Sequence, residues 1–333
     1  MQSKKIIILG ATGQIGKELS LKFKDSKEHD IIFHSRTLVA SSFFKNNDIN
    51  FIAAEIDDDK VISKISKADL IFDLAAPDHG SLQEIKDFYK KRFDLIFFHM
   101  KKKSKFIFAS SMNVFGIDDK RKILKNYFFS SSIYSSNKRY AEKYIKELGK
   151  KNSIEIYILR LAEVHGNFQR ASTEIIKLIK DKFLFEIANT PAWITFVSLI
   201  KQSIINILND KEIPGTYTLT CDDIYWDDLL NIFGKKINLK PKFIIKQRPK
   251  KINFLLNYIF QIILTKKDFL RGNFNINKDF EDMIKLNFRI KKIKKSIENF
   301  KGTKIYSKKN RYIGILPGKR MLSLSYDIEK ILD

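Results

Sequence analysis

The feature that most constrains the fold is an alternation of short apolar runs with longer amphipathic stretches in the first half of the chain. Runs rich in β-branched and aromatic residues occupy 5–9, 30–34, 50–53, 70–74, 106–109 and 154–159. Strands that alternate with helical stretches are typical of βαβ units, whose strands pair in parallel. The sequence therefore predicts an α/β fold built on a doubly wound parallel sheet of six strands.

This regular alternation ends near residue 166. Helical patterns follow at about 172–182, 198–209 and 225–235, with a short strand near 217–220. We predict a first domain over 1–166 and a smaller, mostly helical C-terminal domain over 167–333 that holds the substrate. Residues 191–220 are expected to return to the first domain, so the division along the chain is not a clean one.

A glycine-rich segment, GATGQIG, joins the first predicted strand to the first predicted helix. Glycines three residues apart at such a turn allow a tight bend, close approach of the backbone to a pyrophosphate, and close packing of the helix on the strand. The helix N-terminus adds unpaired N–H groups and the positive end of the helix dipole. The segment predicts a Rossmann-type dinucleotide site, and its candidate binding residues are Gly10, Thr12, Gly13, Gln14, Ile15 and Gly16.

The end of the second predicted strand bears on the choice between NAD and NADP. An acidic residue at this point would bind the ribose 2′-hydroxyl of NAD, but the chain has Ser35 and Arg36. An arginine beside a serine suits a 2′-phosphate, so the sequence favours NADP and leaves NAD as the alternative.

Two further pairs of residues are predicted to border the cofactor. Glu55 and Ile56 follow the third strand, where the adenine edge is expected, and Ala75 and Ala76 end the fourth strand. Small side chains at the latter position would let the backbone approach the cofactor closely.

A serine, a tyrosine and a lysine form the candidate catalytic centre. Ser111 ends the fifth strand, and Tyr134 and Lys138 lie four residues apart, on one face of the helix that follows. A lysine ammonium beside a phenol is expected to lower the tyrosine pKa, so that Tyr134 can exchange a proton with a substrate hydroxyl or carbonyl. Ser111 would add a hydrogen bond to the same oxygen, and Tyr134 and Lys138 would also contact the cofactor.

With these motifs the chain resembles the extended short-chain dehydrogenases, a family that includes NAD-dependent epimerases and nucleotide-sugar reductases. Besides the glycine segment and the tyrosine–lysine pair, the matching segments are DLAA at 73–76, ASSMNVFG at 109–116 and LRLAEVHG at 159–166. The resemblance implies a Rossmann-type domain, a small C-terminal substrate domain, the catalytic set Ser111, Tyr134 and Lys138, and, by analogy, a homodimer.

The sequence departs from this family at positions that bear on the substrate. Members that dehydrate nucleotide sugars carry Asp and Glu where this chain has Met112 and Asn113, which argues against dehydration. Glu163 replaces an Asn that often contacts the nucleotide diphosphate, and Pro191 or Ala192 replaces a phosphate-binding Arg. A nucleotide sugar remains the substrate that the family resemblance implies, although the residues that usually bind its phosphates are replaced here.

Three functions therefore stay open. The first is an NAD(P)-dependent oxidoreductase or epimerase acting on a nucleotide- or carrier-linked sugar. The second is an NADPH-dependent reductase of a small carbonyl compound, which gains from Glu163. The third, of another class, is a nucleic-acid-binding protein on a Rossmann scaffold, which the intact serine, tyrosine and lysine argue against.

The charge of the chain is concentrated in its C-terminal part. The formal net charge is +24, and 235–320 holds 25 lysines and arginines against 5 acidic residues. Within it, the apolar run 252–264 is 13 residues long, whereas a membrane-spanning helix requires roughly 18 to 20. Two interpretations remain: a buried helix of the substrate domain, which we favour, or a helix on an anionic membrane surface through 250–267.

The cysteine and histidine content bears on the cellular location and on metal binding. The single cysteine, Cys221, and the lack of a signal-peptide pattern predict a cytoplasmic protein, peripheral to the membrane only if 250–267 binds lipid. The five histidines show no metal-ligand spacing, so no metal is expected. His79 and His165 follow strand ends, but a surface or core position is the expected role for each.

Overall fold

The computed structural model describes residues 3–26, 28–77, 80–115, 133–188, 192–221, 224–246 and 303–304. Along the chain the elements are β1 (Lys5–Leu9), α1 (Gln14–Phe23), β2 (Asp30–Ser35), α2 (Ser42–Asn46), β3 (Phe51–Ala53), α3 (Asp59–Lys67), β4 (Leu70–Asp73), α4 (Leu82–His99), β5 (Lys105–Ser111), a 3₁₀ turn (Met112–Phe115), α5 (Ile133–Asn152), β6 (Glu155–Leu161), β7 (Glu163–His165), α6 (Arg170–Lys180), β8 (Leu184–Ala188), β9 (Ile194–Phe196), α7 (Val197–Leu208), β10 (Gly215–Leu219), α8 (Trp226–Lys236), β11 (Lys242–Lys246) and β12 (Thr303–Lys304).

Seven of these strands form one parallel sheet in the order β10-β6-β5-β4-β1-β2-β3. The predicted α/β fold with a Rossmann-type doubly wound sheet is confirmed. All six strands predicted in the first half are present, and β10 adds a seventh by pairing with β6. The strand order reverses between β1 and β4, and ligands of such sheets bind in the crevice that opens there, at the carboxyl ends of the strands.

The sheet is covered on both faces because its strands are apolar on both sides. Ile6 and Ile8 of β1 pack into one buried cluster, which α1, α2 and α7 cover. Ile7 and Leu9 of the same strand point the other way, into a second cluster under α3, α4 and α5. Burial on both faces explains why the sequence of β1 is a continuous apolar run rather than an alternating one.

The region after residue 166 contains more strands than the sequence indicates. β8 lies between β11 and β12 in a three-stranded parallel sheet, and β7 pairs with β9. Helices α6, α7 and α8 lie close to their predicted positions. The domain division at residue 166 stays a prediction.

Most of the basic segment lies outside the described residues. Of 235–320, the structure describes only 235–246 and 303–304, so both interpretations of 250–267 stay predictions. Within the described ranges, no helix is long and apolar enough to cross a membrane. In the same part of the chain, no group of three or more His, Cys, Asp or Glu side chains is placed to hold a metal ion.

Candidate active site

The glycine turn after β1 is fixed by close contacts of the chain with itself. Gly10 has a φ of +69°, and a Cβ there would lie 2.6 Å from the backbone nitrogen of Ala75. A Cβ on Gly16 would lie 2.2 Å from the carbonyl oxygen of Ala11. Glycine is therefore required at position 10 because the backbone is left-handed there and because Ala75, just after β4, lies so close. It is required at position 16 because α1 packs tightly against the turn.

Gly13 is not required by any such contact. The nearest heavy atom to a Cβ at this position would be the carbonyl oxygen of Gly10, at 3.7 Å, and the backbone is extended. Gly13 is the N-cap of α1, no side chain caps the helix, and its first turn holds no acidic residue. An uncapped helix N-terminus beside open space fits the pyrophosphate of a dinucleotide, since unpaired N–H groups and the helix dipole favour an anion there.

The different demands on these glycines give a testable contrast. We expect Gly13→Ala to keep the thermal stability of the protein but to weaken NAD(P) binding about ten-fold or more, because the added methyl overpacks the phosphate site by about 1–3 kcal/mol. Gly16→Ala should instead lower the free energy of unfolding, by about 1–3 kcal/mol, through its clash with Ala11. Calorimetric titration and thermal unfolding of both variants measure this. Unchanged affinity in Gly13→Ala would remove the glycine turn from the proposed cofactor site.

The residues predicted around the adenosine half lie at the same edge of the sheet. Ser35 is buried and its Oγ donates to the Thr37 carbonyl at 2.9 Å, whereas Arg36 is exposed. Glu55 and Ala76 are also exposed. Ile56 and Ala75 are half-buried, and Ile56 packs against the cluster under α3 and α4.

The structure brings Ser111, Tyr134 and Lys138 together at the carboxyl end of β5. The hydroxyls of Tyr134 and Ser111 are hydrogen-bonded, and the Tyr134 side chain remains 46% exposed. Lys138 is only 4% exposed, and its Nζ donates to the Ala109 carbonyl at 2.8 Å. Its Nζ lies 5.8 Å from the centre of the Tyr134 ring and 4.7 Å from that of Phe108.

The pKa values of the pair correct one expectation from the sequence. Although 46% of Tyr134 is exposed, desolvation of its hydroxyl raises the pKa of this residue, and the hydrogen bond from Ser111 only partly opposes this. The predicted net lowering of the Tyr134 pKa is therefore wrong for the described structure, in which burial prevails and the Lys138 ammonium donates to the Ala109 carbonyl. Burial also lowers the pKa of Lys138 to about 8, against the opposing charges of Asp73 and Glu142.

Two buried ion pairs that sequence reasoning missed lie close to Lys138. Arg160 binds both carboxylate oxygens of Glu142, at 2.9 and 2.6 Å, and Ser110 donates to the same group at 2.6 Å. Arg92 likewise binds both oxygens of Asp73, at 3.2 and 2.8 Å. The available signal in the sequence was Arg160, which directly follows the apolar run at 154–159. A charged side chain that continues a buried strand needs a buried partner.

A small apolar cluster directly follows Ser111 along the chain. Met112 and Val114 are buried in the 3₁₀ turn and pack against Ala162 and Trp193. Trp193 has a φ of +50°, a conformation that a bulky side chain adopts only under constraint from its surroundings. The cluster places an aromatic ring next to the residue that follows the candidate catalytic serine.

The other residues that the sequence pointed to differ in how far they are buried. Asn113 is exposed, Glu163 is half-buried on β7, and Ala192 is buried. His165 is fully buried, with its Nδ1 3.0 Å from the Ser172 Oγ, and so occupies a core position. Pro191 and His79 lie outside the described residues.

A comparison with protein families gives a match over more than half of the chain. The sequence profile of the NAD dependent epimerase/dehydratase family matches residues 6–184, which contain the glycine turn, Ser111, Tyr134 and Lys138. No curated protein matches the chain.

Solved structures share the fold at low sequence identity. UDP-glucuronic acid 4-epimerase from Bacillus cereus, in complex with NAD, is 17% identical, with a TM-score of 0.56 over 72% of this chain and 85% of that one. UDP-N-acetylglucosamine 4-epimerase from Methanobrevibacter ruminantium is also 17% identical, with a TM-score of 0.57 over 81% and 99% of the two chains. The corresponding enzyme from Bacillus cereus is 16% identical, with a TM-score of 0.58 over 74% and 86%.

Proposed function

Because this chain belongs to the NAD dependent epimerase/dehydratase family, we propose that it is an NAD(P)-dependent epimerase or reductase of a nucleotide- or carrier-linked sugar. One observation carries the proposal: Tyr134, hydrogen-bonded to Ser111 and close to the Lys138 ammonium, lies at the same edge of the sheet as the open glycine turn. A cofactor bound on Gly13 would then share one crevice with a proton donor.

The three side chains divide the proton chemistry between them. When bound, NAD(P) exchanges a hydride with the substrate carbon through its nicotinamide ring. Tyr134 holds its proton at neutral pH, because its pKa is raised, and donates it to the oxygen of a substrate carbonyl. Ser111 donates a hydrogen bond to the same oxygen, and the charge of Lys138 stabilises the phenolate left on Tyr134. In the reverse direction that phenolate takes the proton of a substrate hydroxyl.

The proposed substrate class follows from the similar solved structures and from the carboxylates that sugar dehydratases have and this chain lacks. The three solved structures named above are epimerases of UDP-linked sugars. Met112 and Asn113 stand where sugar dehydratases carry carboxylates, so the chain has no acid at that point to remove a hydroxyl group. These observations favour epimerisation or reduction of a nucleotide-linked sugar. A homodimer is implied by the family resemblance alone and has no part in this chemistry.

Reduction of a small carbonyl compound remains the second candidate because of Glu163. Its carboxylate lies half-buried on β7, where the family often has an Asn that contacts the nucleotide diphosphate. A negative charge at that point would repel a diphosphate at close range. A substrate without phosphates would not meet this repulsion.

Incubation with a panel of nucleotide sugars and keto-sugars, each with NAD, NADH, NADP or NADPH, tests the proposal. Loss of reduced-nicotinamide absorbance with a sugar substrate would show reduction, and an altered sugar without net absorbance change would show epimerisation. Turnover of small keto compounds alone would support the second candidate. No turnover of any sugar would contradict the proposed function.

We further propose that Arg36 gives the site a preference for NADP. It is exposed directly after β2, where a 2′-phosphate would lie. Arg36→Asp should therefore weaken NADPH binding by roughly 1.5–3 kcal/mol, the value of a charge-assisted hydrogen bond, and leave NADH binding nearly unchanged. Titration calorimetry with both cofactors measures the difference. Equal losses for NADPH and NADH would show that Arg36 does not face the 2′ position.

A further inference from the structure

The ion pair of Asp73 and Arg92 is buried in the second cluster and has no role in the mechanism above. Asp73 ends β4 and is 0% exposed, while Arg92, in the middle of α4, is 8% exposed. The arginine contacts both carboxylate oxygens, with its Nη2 2.8 Å from Oδ1 and its Nε 3.2 Å from Oδ2. A pair so fully removed from water costs desolvation energy.

Asp73 is also connected to the cofactor turn. Its Oδ1 accepts a hydrogen bond from the backbone N–H of Ala75, at 3.2 Å. Ala75 is the residue against which Gly10 packs, so closely that a Cβ on Gly10 would lie 2.6 Å from the Ala75 nitrogen. The carboxylate therefore helps to fix the stretch of backbone that shapes the glycine turn.

Asp73 also lies near Lys138, because it pairs with Phe108 across β4 and β5, and the centre of the Phe108 ring is 4.7 Å from the Lys138 Nζ. The charged groups that favour the lysine ammonium are Asp73, on β4, and Glu142, one turn further along α5. Arg92 holds the first carboxylate, and Arg160 with Ser110 holds the second. The titratable rings beside the ammonium belong to Tyr134 and Tyr89, whose centres lie 5.8 and 6.0 Å from Nζ.

We propose that Asp73, held in place by Arg92, is a positioning residue that supplies a negative charge beside the Lys138 ammonium and fixes the end of β4 beside the glycine turn. The proposal rests on the proposed function in one respect, since that function assigns Lys138 its role beside Tyr134. Glu142 favours the ammonium in the same direction, but among the described residues its hydrogen bonds go to Ser110 and Arg160, whereas Asp73 also bonds to Ala75 beside the glycine turn.

The negative charge of Asp73 matters because the pKa of Lys138 is close to neutral pH. Its pKa is about 8, lowered by burial, so the ammonium begins to lose its proton only slightly above neutral pH. Removal of a nearby negative charge disfavours the charged form of a lysine and lowers its pKa further. Without Asp73, Lys138 would therefore be largely neutral at a pH at which it is charged in the native protein.

The titration of Lys138 can be followed without any substrate. Full-length protein labelled with carbon-13 at the lysine ε position is titrated by NMR, and the Lys138 signal is identified by its absence in Lys138→Met. We expect a midpoint near pH 8 in the native protein and a midpoint lower by about one unit in Asp73→Asn, the lower end of the effect of an opposite charge. Asp69→Asn is the matched control, since Asp69 immediately precedes the same strand but pairs with Lys101 at the surface.

A second variant protects the test against misfolding. Asp73→Asn leaves the Arg92 charge buried without its partner, whereas Asp73→Asn/Arg92→Gln removes both charges and should lower the midpoint less, because the repulsion from Arg92 is lost as well. A folded Asp73→Asn variant with the native midpoint, or a folded double variant with a midpoint above the native one, would overturn the proposal. Lowered midpoints in a protein that turns over no sugar would support the positioning role and defeat only the proposed function.

Discussion

Replacement of Tyr134 with phenylalanine is expected to lower turnover by at least about two orders of magnitude, the usual contribution of a general acid–base group. The phenol is the group placed to transfer a proton, because Ser111 is hydrogen-bonded to it and Lys138 is directed at a backbone carbonyl. Phenylalanine keeps the ring, so NAD(P) affinity should change little. Steady-state kinetics and cofactor titration on the same preparation measure both quantities.

Tyr144→Phe provides the matched control for this change. Tyr144 lies on the same helix, and its hydroxyl donates to Asp94 at the surface, at 2.5 Å, rather than to Ser111. Loss of that hydroxyl should leave turnover near the native value. Native turnover in Tyr134→Phe, or equal losses in the two variants, would contradict the role assigned to Tyr134.

Replacement of Arg160 with methionine is expected to lower the free energy of unfolding by about 3–5 kcal/mol, because it leaves a buried carboxylate without its partner. Glu142 would keep only its hydrogen bond from Ser110, with no route to water, since it is 4% exposed. The loss should also reach the active site, because Glu142 lies one turn from Lys138. Chemical denaturation with and without NAD(P) measures the change.

Arg170→Met is the control, because it breaks an ion pair of similar length at the surface. Arg170 and Glu174 are 2.8 Å apart, with side chains 80% and 50% exposed, against 2.6 Å and 8% and 6% for Arg160 and Glu142. An exposed pair four residues apart on a helix contributes about 0.3–0.5 kcal/mol, so the control should be nearly neutral. Equal effects of the two substitutions would show that burial does not set the strength of the Arg160 pair.

The local patterns of this sequence were sufficient for the first half of the fold. The six apolar runs and the GATGQIG turn are signals that do not depend on tertiary context, since strand periodicity and glycine spacing are set by neighbouring residues. The placement of Ser111, Tyr134 and Lys138 at one edge of the sheet follows from the same logic, because parallel strands end on the same side. The assignment of catalytic roles to them stays a prediction until the kinetics are measured.

The parts that the sequence did not show depend on contacts between distant residues. The direction of the Lys138 ammonium is set by the Ala109 carbonyl, 29 residues earlier in the chain. Asp73 and Arg92 form a pair only because β4 and α4 pack together, and strands as short as β7 and β9 have too few residues to show an alternating pattern. The direction predicted for the Tyr134 pKa was wrong because burial, which tertiary packing sets, outweighs the hydrogen bond from Ser111.

The central claim, hydride and proton exchange with a sugar at Tyr134, is tested most directly by turnover in D2O of whichever sugar the substrate panel identifies. Hydrogen bound to carbon is transferred as hydride and does not exchange with solvent, whereas the proton on Tyr134 does. The account predicts an NMR spectrum in which the product carries no deuterium at the changed carbon, and loss of that product in Tyr134→Phe. Deuterium at that carbon would show that a proton is removed from it instead, and would contradict the account.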